Sequence, residues 1–405
     1  MSFKKWSIAF PVILEGLGAD QVMDELSEMG QSDLILCAII YHGYRMVMPR
    51  HPRQIYQLEA GMTFYPSDQS FYKDCKIKQV STRDFAGRDL FQEASKAAEK
   101  AGISLSAWIT CFANSRVARD FPEVAMQNLY GSRDRLFLCF NNPEVQKYCW
   151  AMFRDLATRY PLSSMMADKI PQSMLELNSF AGRIDPILRL AGSICFCDHC
   201  MEQAKKDSID LAEAKKILLR AAEASRKVPQ WAREAMLDDL RGDTEIPLFM
   251  LEEPLIADVL RWRIDCIVRF LAHTRQMVQS IQPGVKVSVC FVPPVKVGHD
   301  ATSPRAWLGA QSYRKFSTVV DAIHGVIHWE PEVVAYDTRR ARDMVDAGNL
   351  NCELVIHVAA YGRRRPEDMA GLVQAARGQG ADGMAFFCHD LLDEPMIAAL
   401  KTLPD

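Results

Sequence analysis

The chain has 405 residues, of which 49% are hydrophobic and 24% charged, and its formal net charge is −3. This balance is typical of a globular protein and excludes the strong positive charge on which nucleic-acid binding depends. No apolar run reaches the roughly 18 residues of a membrane-spanning helix, and the N-terminal stretch lacks the small-residue cleavage site of a signal peptide. Because several of the 12 cysteines lie in apolar runs, we expect buried free thiols and a cytoplasmic protein.

Short apolar runs alternate along the chain with amphipathic helical stretches, a pattern typical of βα units on a parallel sheet. The eight predicted strands are Trp6–Leu14, Asp33–Tyr41, Ile103–Phe112, Ser163–Ile170, Val285–Val292, Gly325–Trp329, Leu354–Ala360 and Gly383–His389. Several follow helical stretches that end at Gly or Pro. One of these, Leu255–Ile281, carries Leu260, Ile264, Ile267 and Leu271 on one stripe. The pattern predicts a (β/α)8 barrel, or TIM barrel, and the alternative is a doubly wound open sheet with a separate small domain.

The length of the chain exceeds what the barrel alone requires, since such barrels have about 250 residues. The longest gaps between predicted strands cover about residues 43–87, after the second strand, and 171–254, after the fourth. Both gaps follow strands, so they lie at the C-terminal face, where such barrels bind ligands. We predict one barrel domain over residues 1–405 with insertions at these two places.

Polar and aromatic side chains occur at or near the ends of several predicted strands, and in a barrel such side chains meet at one mouth. In chain order they are His42, Tyr44, Arg45, Trp108, Asp168, Lys169, His328, Trp329, Glu330, His357, Tyr361, His389 and Asp390. Each residue alone has an ordinary structural interpretation, such as a hydrogen-bonded core histidine or a turn-capping carboxylate. Together they predict a polar cleft with aromatic platforms, which is the kind of site that binds sugars.

Two of these carboxyl groups suit glycoside hydrolysis, which uses a pair roughly 5 to 9.5 Å apart. Asp168 and Glu330 follow the fourth and sixth strands, which are near neighbours in a barrel. Glu330 lies beside Trp329, a less polar setting that raises a carboxyl pKa and suits a general acid. Asp168 lies beside Lys169 and is expected to stay ionised as the nucleophile or base, with Asp390 as the reserve carboxylate. The remaining polar and aromatic residues of this group are predicted to bind substrate.

Two other functions remain open on this evidence. Histidines at several strand ends are ligands that a divalent metal of a lyase, isomerase or hydrolase would use, although the first strand has no His-x-His pair. The barrel could also bind carbohydrate without cleaving it. In each case the sequence predicts no organic cofactor, nucleic acid or membrane partner. It leaves the oligomeric state open, a homo-oligomer included.

A cysteine cluster predicts a structural zinc site. The segment SICFCDHC places three thiols within six residues, at Cys195, Cys197 and Cys200. Tetrahedral zinc needs four ligands, and a thiol from another loop is the natural fourth. Cys139 is preferred over Cys111 or Cys75 for this position. The site would attach the long loop after the fourth strand to the barrel; the alternative is three reduced thiols that pack the start of the loop.

Three stretches of the chain resemble a group of mostly uncharacterised, glycoside-hydrolase-like TIM-barrel proteins of bacterial genomes. They are Tyr41–Pro66, Asn128–Tyr148 and Ile194–Ala204. The third is also similar to the Cys-x-Cys-x-x-Cys motif of family 42 β-galactosidases, where those cysteines and one from the preceding loop hold zinc. The resemblance implies a sugar-active barrel in which Asp168 occupies the acidic position after the fourth strand.

The sequence departs from the family 42 pattern at the positions that matter for catalysis. Where that pattern has an Asn-Glu pair after the fourth strand, this chain has Asp168, Lys169 and Ile170. Where it has a glutamate on the seventh strand, this chain has His357, and Phe140 replaces a usual Pro of the bacterial group. The retaining mechanism of that family therefore does not transfer, and the catalytic prediction rests on the residues themselves.

Overall fold

The structure, a computed structural model, describes residues 3–170, 186–227, 239–291, 306, 308–326, 331–362 and 364–404. Eight parallel strands close into a barrel in the order β1-β12-β11-β10-β9-β8-β5-β2, which confirms the predicted (β/α)8 fold. The strands are β1 (Lys4–Ala9), β2 (Asp33–Cys37), β3 (Tyr44–Val47), β4 (Ile55–Leu58), β5 (Ser104–Thr110), β6 (Ala125–Gln127), β7 (Arg133–Leu138), β8 (Ser164–Asp168), β9 (Lys286–Phe291), β10 (Ala322–Val326), β11 (Glu353–Ala359) and β12 (Gly383–Phe387). The pairs β3–β4 and β6–β7 are antiparallel hairpins outside the barrel.

Helices connect and surround the strands. The described α-helices are α1 (Pro11–Leu17), α2 (Ala19–Glu28), α3 (Leu90–Ala101), α4 (Ser115–Asp120), α5 (Pro143–Arg159), α6 (Pro186–Gly192), α7 (Asp198–Lys206), α8 (Leu211–Arg226), α9 (Asp239–Glu252), α10 (Pro254–Ile281), α11 (Tyr313–Phe316), α12 (Pro331–Asp346), α13 (Asp368–Gly378) and α14 (Glu394–Lys401). Single 3₁₀ turns occur at Gln69–Tyr72, Pro122–Val124 and His389–Leu391. Within these described helices, none is long and apolar enough to span a lipid bilayer.

Local sequence signals set where several helices begin and end. The side chain of Asp89 accepts a hydrogen bond from the backbone N–H of Gln92 and caps α3, which ends at Gly102 in the left-handed conformation. Asn142 caps α5 in the same way, and Pro143 occupies its first turn, where a missing N–H costs nothing. On α10, the predicted stripe is buried at Leu260, Ile267 and Leu271, and half-buried at Ile264.

Most predicted strands differ in their bounds from the structure by a few residues, and the second ends at Cys37 rather than Tyr41. The first and the sixth differ in ways that have a physical reason. The first prediction, Trp6–Leu14, is wrong in its second half, because β1 ends at Ala9 and Pro11 begins α1. Apolar residues there are buried on a helix rather than a strand, and periodicity alone does not separate the two in so short a run. The sixth strand, β10, lies earlier than predicted, over Ala322–Val326, and residues 327–330 are outside the described part of the chain.

The interior of the barrel is polar at its N-terminal end. A basal cavity of about 380 Å³ is lined there by charged and hydroxyl side chains from several strands. Glu353 accepts hydrogen bonds from Lys4 at 3.0 Å and from Lys286 at 2.9 Å. Asp33 accepts hydrogen bonds at one carboxylate oxygen from Ser106 and Ser163. This polar network occupies the face that barrels of this type use for stability rather than for catalysis.

Candidate functional site

A larger cavity, of about 540 Å³, opens at the C-terminal mouth of the barrel. Seven of the predicted site residues line it: Tyr44, Arg45, Trp108, Asp168, Lys169, His357 and Tyr361. The sequence analysis missed several other lining residues, among them Phe10, Tyr41, Met46, Val47, Met166, Cys290, Phe387 and Leu391. Most of the missed residues are apolar, and an apolar side chain near a strand end carries no signal that separates a cavity wall from the core.

Asp168 is the last residue of β8, and only 7% of it is exposed. Its Oδ2 atom accepts a hydrogen bond of 2.8 Å from the indole Nε1 of Trp108, which lies on the neighbouring strand β5. Within the described residues, Oδ1 has no hydrogen-bond partner. A carboxylate oriented through one oxygen, with the other free, is arranged to act on a ligand in the cavity.

Lys169 follows directly in a strained conformation, with a φ of +48°. A non-glycine residue there costs about 1 kcal/mol or more, and such strain is concentrated at functional sites. The Nζ atom lies 4.7 Å from the centre of the Tyr41 ring, a cation–π contact. Burial disfavours the charged ammonium, but Asp168 and Tyr41 raise the pKa of Lys169 above its ordinary value. The mouth therefore holds a lysine cation beside a carboxylate.

The rim of the mouth around Lys169 is aromatic. The hydroxyl of Tyr44 donates a hydrogen bond to that of Tyr41, and burial raises the pKa of Tyr44. His42 does not line the cavity but packs against both tyrosine rings, at centroid distances of 4.4 Å from Tyr41 and 3.9 Å from Tyr44. Burial also lowers the pKa of His42, which favours its neutral form. This places His42 behind the aromatic rim rather than in the cavity.

His357 lies inside β11 rather than beyond its end, and it is 3% exposed. Its Nε2 atom is 2.7 Å from Nδ1 of His324 on the adjacent strand β10, and His324 lines the basal cavity. Burial lowers the pKa of His324 to about 3, so this imidazole is neutral. The pair extends through the barrel interior from one cavity to the other. Sequence analysis missed His324 because the sixth predicted strand began at Gly325, one residue after it.

His389 does not line the mouth cavity. It is fully buried, and its Nε2 atom lies 3.1 Å from a guanidinium nitrogen of Arg50 and 3.4 Å from a carboxylate oxygen of Glu25. Although burial opposes it, the hydrogen bonds from His389 and Arg50 lower the pKa of Glu25 to about 2. These contacts join the end of β12 to α2, so His389 occupies a structural position.

Asp390 is also fully buried and outside the lining of the cavity. Its Oδ2 atom accepts hydrogen bonds from the backbone N–H of Phe10 at 2.8 Å and from the thiol of Cys388 at 2.9 Å. Burial raises the pKa of Asp390 and favours its protonated form. The geometry suits a residue that connects the ends of β1 and β12, and gives no support to Asp390 as a reserve catalytic carboxylate.

The remaining predicted residues, His328, Trp329 and Glu330, lie outside the described residues. The separation of Asp168 and Glu330 therefore stays a prediction. Among the described residues that line the mouth, Asp168 is the one carboxylate. No histidines or carboxylates of the described chain converge there as metal ligands, so the geometry adds no support to a metal-dependent enzyme that uses strand-end histidines.

Four buried cysteines converge at a separate place, where the loop before α7 meets the end of β7. The sulfur atoms of Cys139, Cys195, Cys197 and Cys200 all lie within 4.8 Å of one another. Cys139 is 3.3 Å from Cys197 and 3.5 Å from Cys200, close to the sulfur–sulfur distance of about 3.8 Å in a tetrahedral zinc–thiolate site. Hydrogen bonds from the other three thiols lower the pKa of Cys197. The donor set and its geometry fit a metal ion.

Comparisons with known proteins support the fold. No protein-family model and no curated protein matches the sequence. The glycoside hydrolase domain of PgaB (BpsB) from Bordetella bronchiseptica is similar in structure, with a TM-score of 0.58 and 12% identity over 99% of this chain and 98% of that one. The catalytic domain of a β-amylase from Paenibacillus polymyxa is also similar, with a TM-score of 0.58 and 10% identity. The match covers 98% of this chain and 97% of that domain.

A β-galactosidase from a psychrophilic Marinomonas gives a TM-score of 0.57 and 10% identity over 98% of this chain. The chain spans 58% of that protein. At such identities the similarity shows the barrel fold, as found in glycoside hydrolases, and nothing finer. The sequence resemblance to a particular family stays a prediction.

Proposed function

We propose that the protein is a glycoside hydrolase that binds its substrate in the mouth cavity and uses Asp168 as nucleophile or base. The observation that carries the proposal is the setting of Asp168 at the end of β8. It is buried beside Lys169, oriented by Trp108 and exposed to a cavity with aromatic walls. Structural similarity to glycoside hydrolases of several kinds supports the reaction class.

Each neighbour of Asp168 has a defined task in this proposal. The Trp108 N–H donates to Oδ2, so it fixes the carboxylate and leaves Oδ1 for the anomeric carbon or for an attacking water. The ammonium of Lys169 stabilises the negative charge of Asp168 by coulombic attraction. Glu330, just beyond β10, is the proposed acid that protonates the glycosidic oxygen. Because β9 alone separates β8 from β10, the ends of these two strands are near neighbours at the mouth.

Other residues at the mouth would bind the sugar. Arg45, Tyr44 and Tyr361 present donors and rings at the rim, and His357 presents an imidazole at the floor of the cavity. Rings that stack on C–H faces and charged donors that bind hydroxyls are the combination that carbohydrate sites use. His328 and Trp329, which precede Glu330, stay candidates for the same task.

The test is the loss of turnover in Asp168→Asn and Glu330→Gln, assayed on a panel of aryl glycosides and oligosaccharides. We expect each variant to lose about 10²–10⁴-fold in kcat/KM, because each removes a group that acts on the reacting atoms. Asp20→Asn, at an exposed carboxylate on α2, is the matched control and should retain full activity. Wild-type turnover in both site variants would refute the proposal.

We also propose that Cys139, Cys195, Cys197 and Cys200 hold a structural zinc ion. When bound, the ion would cross-link the loop before α7 to the end of β7, and the site takes no part in the reaction. Purified protein should contain about one zinc per chain by mass spectrometry. Cys197→Ser should lose the metal and unfold at a lower temperature, whereas Cys266→Ser, at a buried thiol outside the cluster, should retain it. Zinc-free wild-type protein of unchanged stability would contradict the proposal.

A further inference from the structure

One side of the mouth cavity is apolar. We define the apolar wall as Phe10, Met46, Val47, Phe387 and Leu391, all of which line the cavity. These residues lie at the end of, or in the segments after, three neighbouring strands of the barrel. Phe387 ends β12, Phe10 follows β1, and Met46 and Val47 belong to the hairpin after β2. The wall is therefore one continuous arc of the mouth.

Asp168 and Lys169 lie on another arc, whereas Arg45 lies on the hairpin beside Met46. Asp168 and Lys169 come from β8, which is separated from β1 by β2 and β5 in the order of the barrel. Trp108 lies between the two arcs: its Nε1 donates to Asp168, and its rings are centred 5.4 Å from Phe10 and 6.0 Å from Phe387. Trp108 thus lies between Asp168 and the apolar wall.

A sugar alone does not complement such a cavity. A pyranose carries hydroxyl groups around its ring, and a hydroxyl buried without a hydrogen-bond partner is strongly disfavoured. The aliphatic side chains of Met46, Val47 and Leu391 offer neither donors nor ring faces. They would be complemented by an apolar group, which gains by leaving water.

The apolar surface continues beyond the cavity along the hairpin. Val47 pairs with Ile55 across β3 and β4, and each is 68% exposed. Their neighbours Met46 and Tyr56 are buried, so Val47 lies at the outer edge of the apolar wall and Met46 lies inside it. Two exposed aliphatic side chains opposite one another, continuous with a ligand cavity, mark a binding surface more strongly than isolated exposed residues do.

We propose that the substrate is a glycoside with an apolar aglycone, that its sugar lies at Asp168, and that its aglycone lies against the apolar wall and extends toward Val47 and Ile55. This inference rests on the proposed function, since it identifies the class of glycoside that the same cavity accepts.

The first test measures binding to the wall without any sugar. In protein labelled with ¹³C at the methionine methyl groups, Met46 reports on the apolar wall and Met166 on another part of the lining, and Met46→Leu and Met166→Leu assign the two signals. Titration with 2-naphthol should shift the Met46 signal in a saturable way and the Met166 signal less. Val47→Asp should weaken this binding about tenfold, because it places a charge on the wall.

The matched control is Leu350→Asp, which introduces the same charge at another highly exposed aliphatic residue, 76% exposed, outside the cavity lining. It should bind 2-naphthol like the wild type. The proposal is overturned if the Met46 signal does not shift, or if Val47→Asp and Leu350→Asp bind alike. It is also overturned if size-exclusion chromatography shows that Val47→Asp abolishes self-association while 2-naphthol binding is unchanged, because the wall would then be an interface between copies.

The second test measures turnover, so that a failure of the inference gives a different result from a failure of the proposed function. Val47→Asp should raise the KM for 4-nitrophenyl glycosides about tenfold and leave the KM for the corresponding disaccharides unchanged. Equal effects on both substrates would overturn the apolar aglycone and leave the glycosidase intact. Naphthol binding at the wall without cleavage of any glycoside would contradict the proposed function.

Discussion

The two ends of the barrel hold charged residues in opposite ways. At the base, Glu353 accepts hydrogen bonds from two lysines, and one oxygen of Asp33 accepts hydrogen bonds from two serines, so each carboxyl is held by side chains from other parts of the barrel. At the mouth, Trp108 is the one side chain among the described residues that donates a hydrogen bond to Asp168, and Lys169 lies in a strained conformation. The comparison teaches that one barrel separates two tasks: its base uses polar groups for cohesion, and its mouth leaves them available to a ligand.

The arginines after β2 show the same contrast over a few residues. The sequence places Arg45, Arg50 and Arg53 in one insertion, with nothing to separate their roles. In the structure, Arg50 pairs with Glu25 at 2.8 Å and Arg53 with Glu15 at 2.6 Å. Within the described part of the chain, Arg45 has no carboxylate partner, and it is the one of the three that lines the mouth.

The largest effect that separates the two ends is expected from a matched pair of tryptophan substitutions. Trp108→Phe keeps a ring between Asp168 and the apolar wall but removes the donor to Asp168. Because a hydrogen bond to a charged group contributes about 1.5–3 kcal/mol, kcat/KM should fall by about 10–100-fold. Trp6→Phe makes the same change in the basal cavity and should leave kcat/KM near the wild-type value. Equal losses of kcat/KM in the two variants would contradict the proposal that the mouth of the barrel is catalytic and the base is structural.

A second prediction concerns the stability of the base as the pH changes. Burial raises the pKa of Asp33 from 3.8 to about 7, although Ser163 and Ser106 oppose this. A carboxyl whose pKa is higher in the folded than in the unfolded protein stabilises the fold at pH values below its pKa in the unfolded protein. This contribution is lost as the pH rises through its pKa in the folded protein. Relative to Asp33→Asn, the wild type should therefore lose roughly 1–3 kcal/mol of unfolding free energy between pH 5 and pH 8.

Urea unfolding of the wild type and Asp33→Asn at both pH values measures this difference. Asp258→Asn, at an exposed carboxylate on α10, is the control and should follow the wild type at both pH values. If the difference in unfolding free energy between the wild type and Asp33→Asn does not depend on pH, the pKa of Asp33 is not raised in the folded protein and the prediction is wrong.

The smallest effect is expected at Lys169. Lys169→Gly should stabilise the fold by about 1 kcal/mol or less, because glycine adopts a φ of +48° without strain. The same change should lower kcat/KM, because it removes the cation beside Asp168. Thermal unfolding and kinetics on one preparation measure both. A variant that is less stable than the wild type would indicate that the Lys169–Tyr41 contact outweighs the strain.

Much of the fold could be predicted from the sequence. Strands of a parallel barrel are buried on both faces, so each reads as an apolar run, and all eight were located to within a few residues except at the two ends already corrected. The need for a fourth thiol beside the three clustered ones followed from the four ligands of tetrahedral zinc, and the structure places the preferred candidate, Cys139, there.

The site was predicted less completely. Asp168 and Lys169 could be located because polar residues that end an apolar strand are rare. Their counterparts at the end of β12, His389 and Asp390, look the same in the sequence, yet a single 3₁₀ turn directs both into the core. The apolar wall could not be foreseen, since it joins Phe10 and Leu391, which are far apart in the chain. Which way a residue faces just beyond a strand depends on tertiary packing that periodicity does not encode.

The most direct measurement of the central claim is a crystal structure of Asp168→Asn soaked with a slowly cleaved aryl glycoside. The account predicts a sugar ring beside residue 168, with its anomeric carbon within reach of the substituted side chain and its aryl group against Met46 and Val47. A glycoside bound outside the mouth, or one bound there with its anomeric carbon turned away from residue 168, would contradict it.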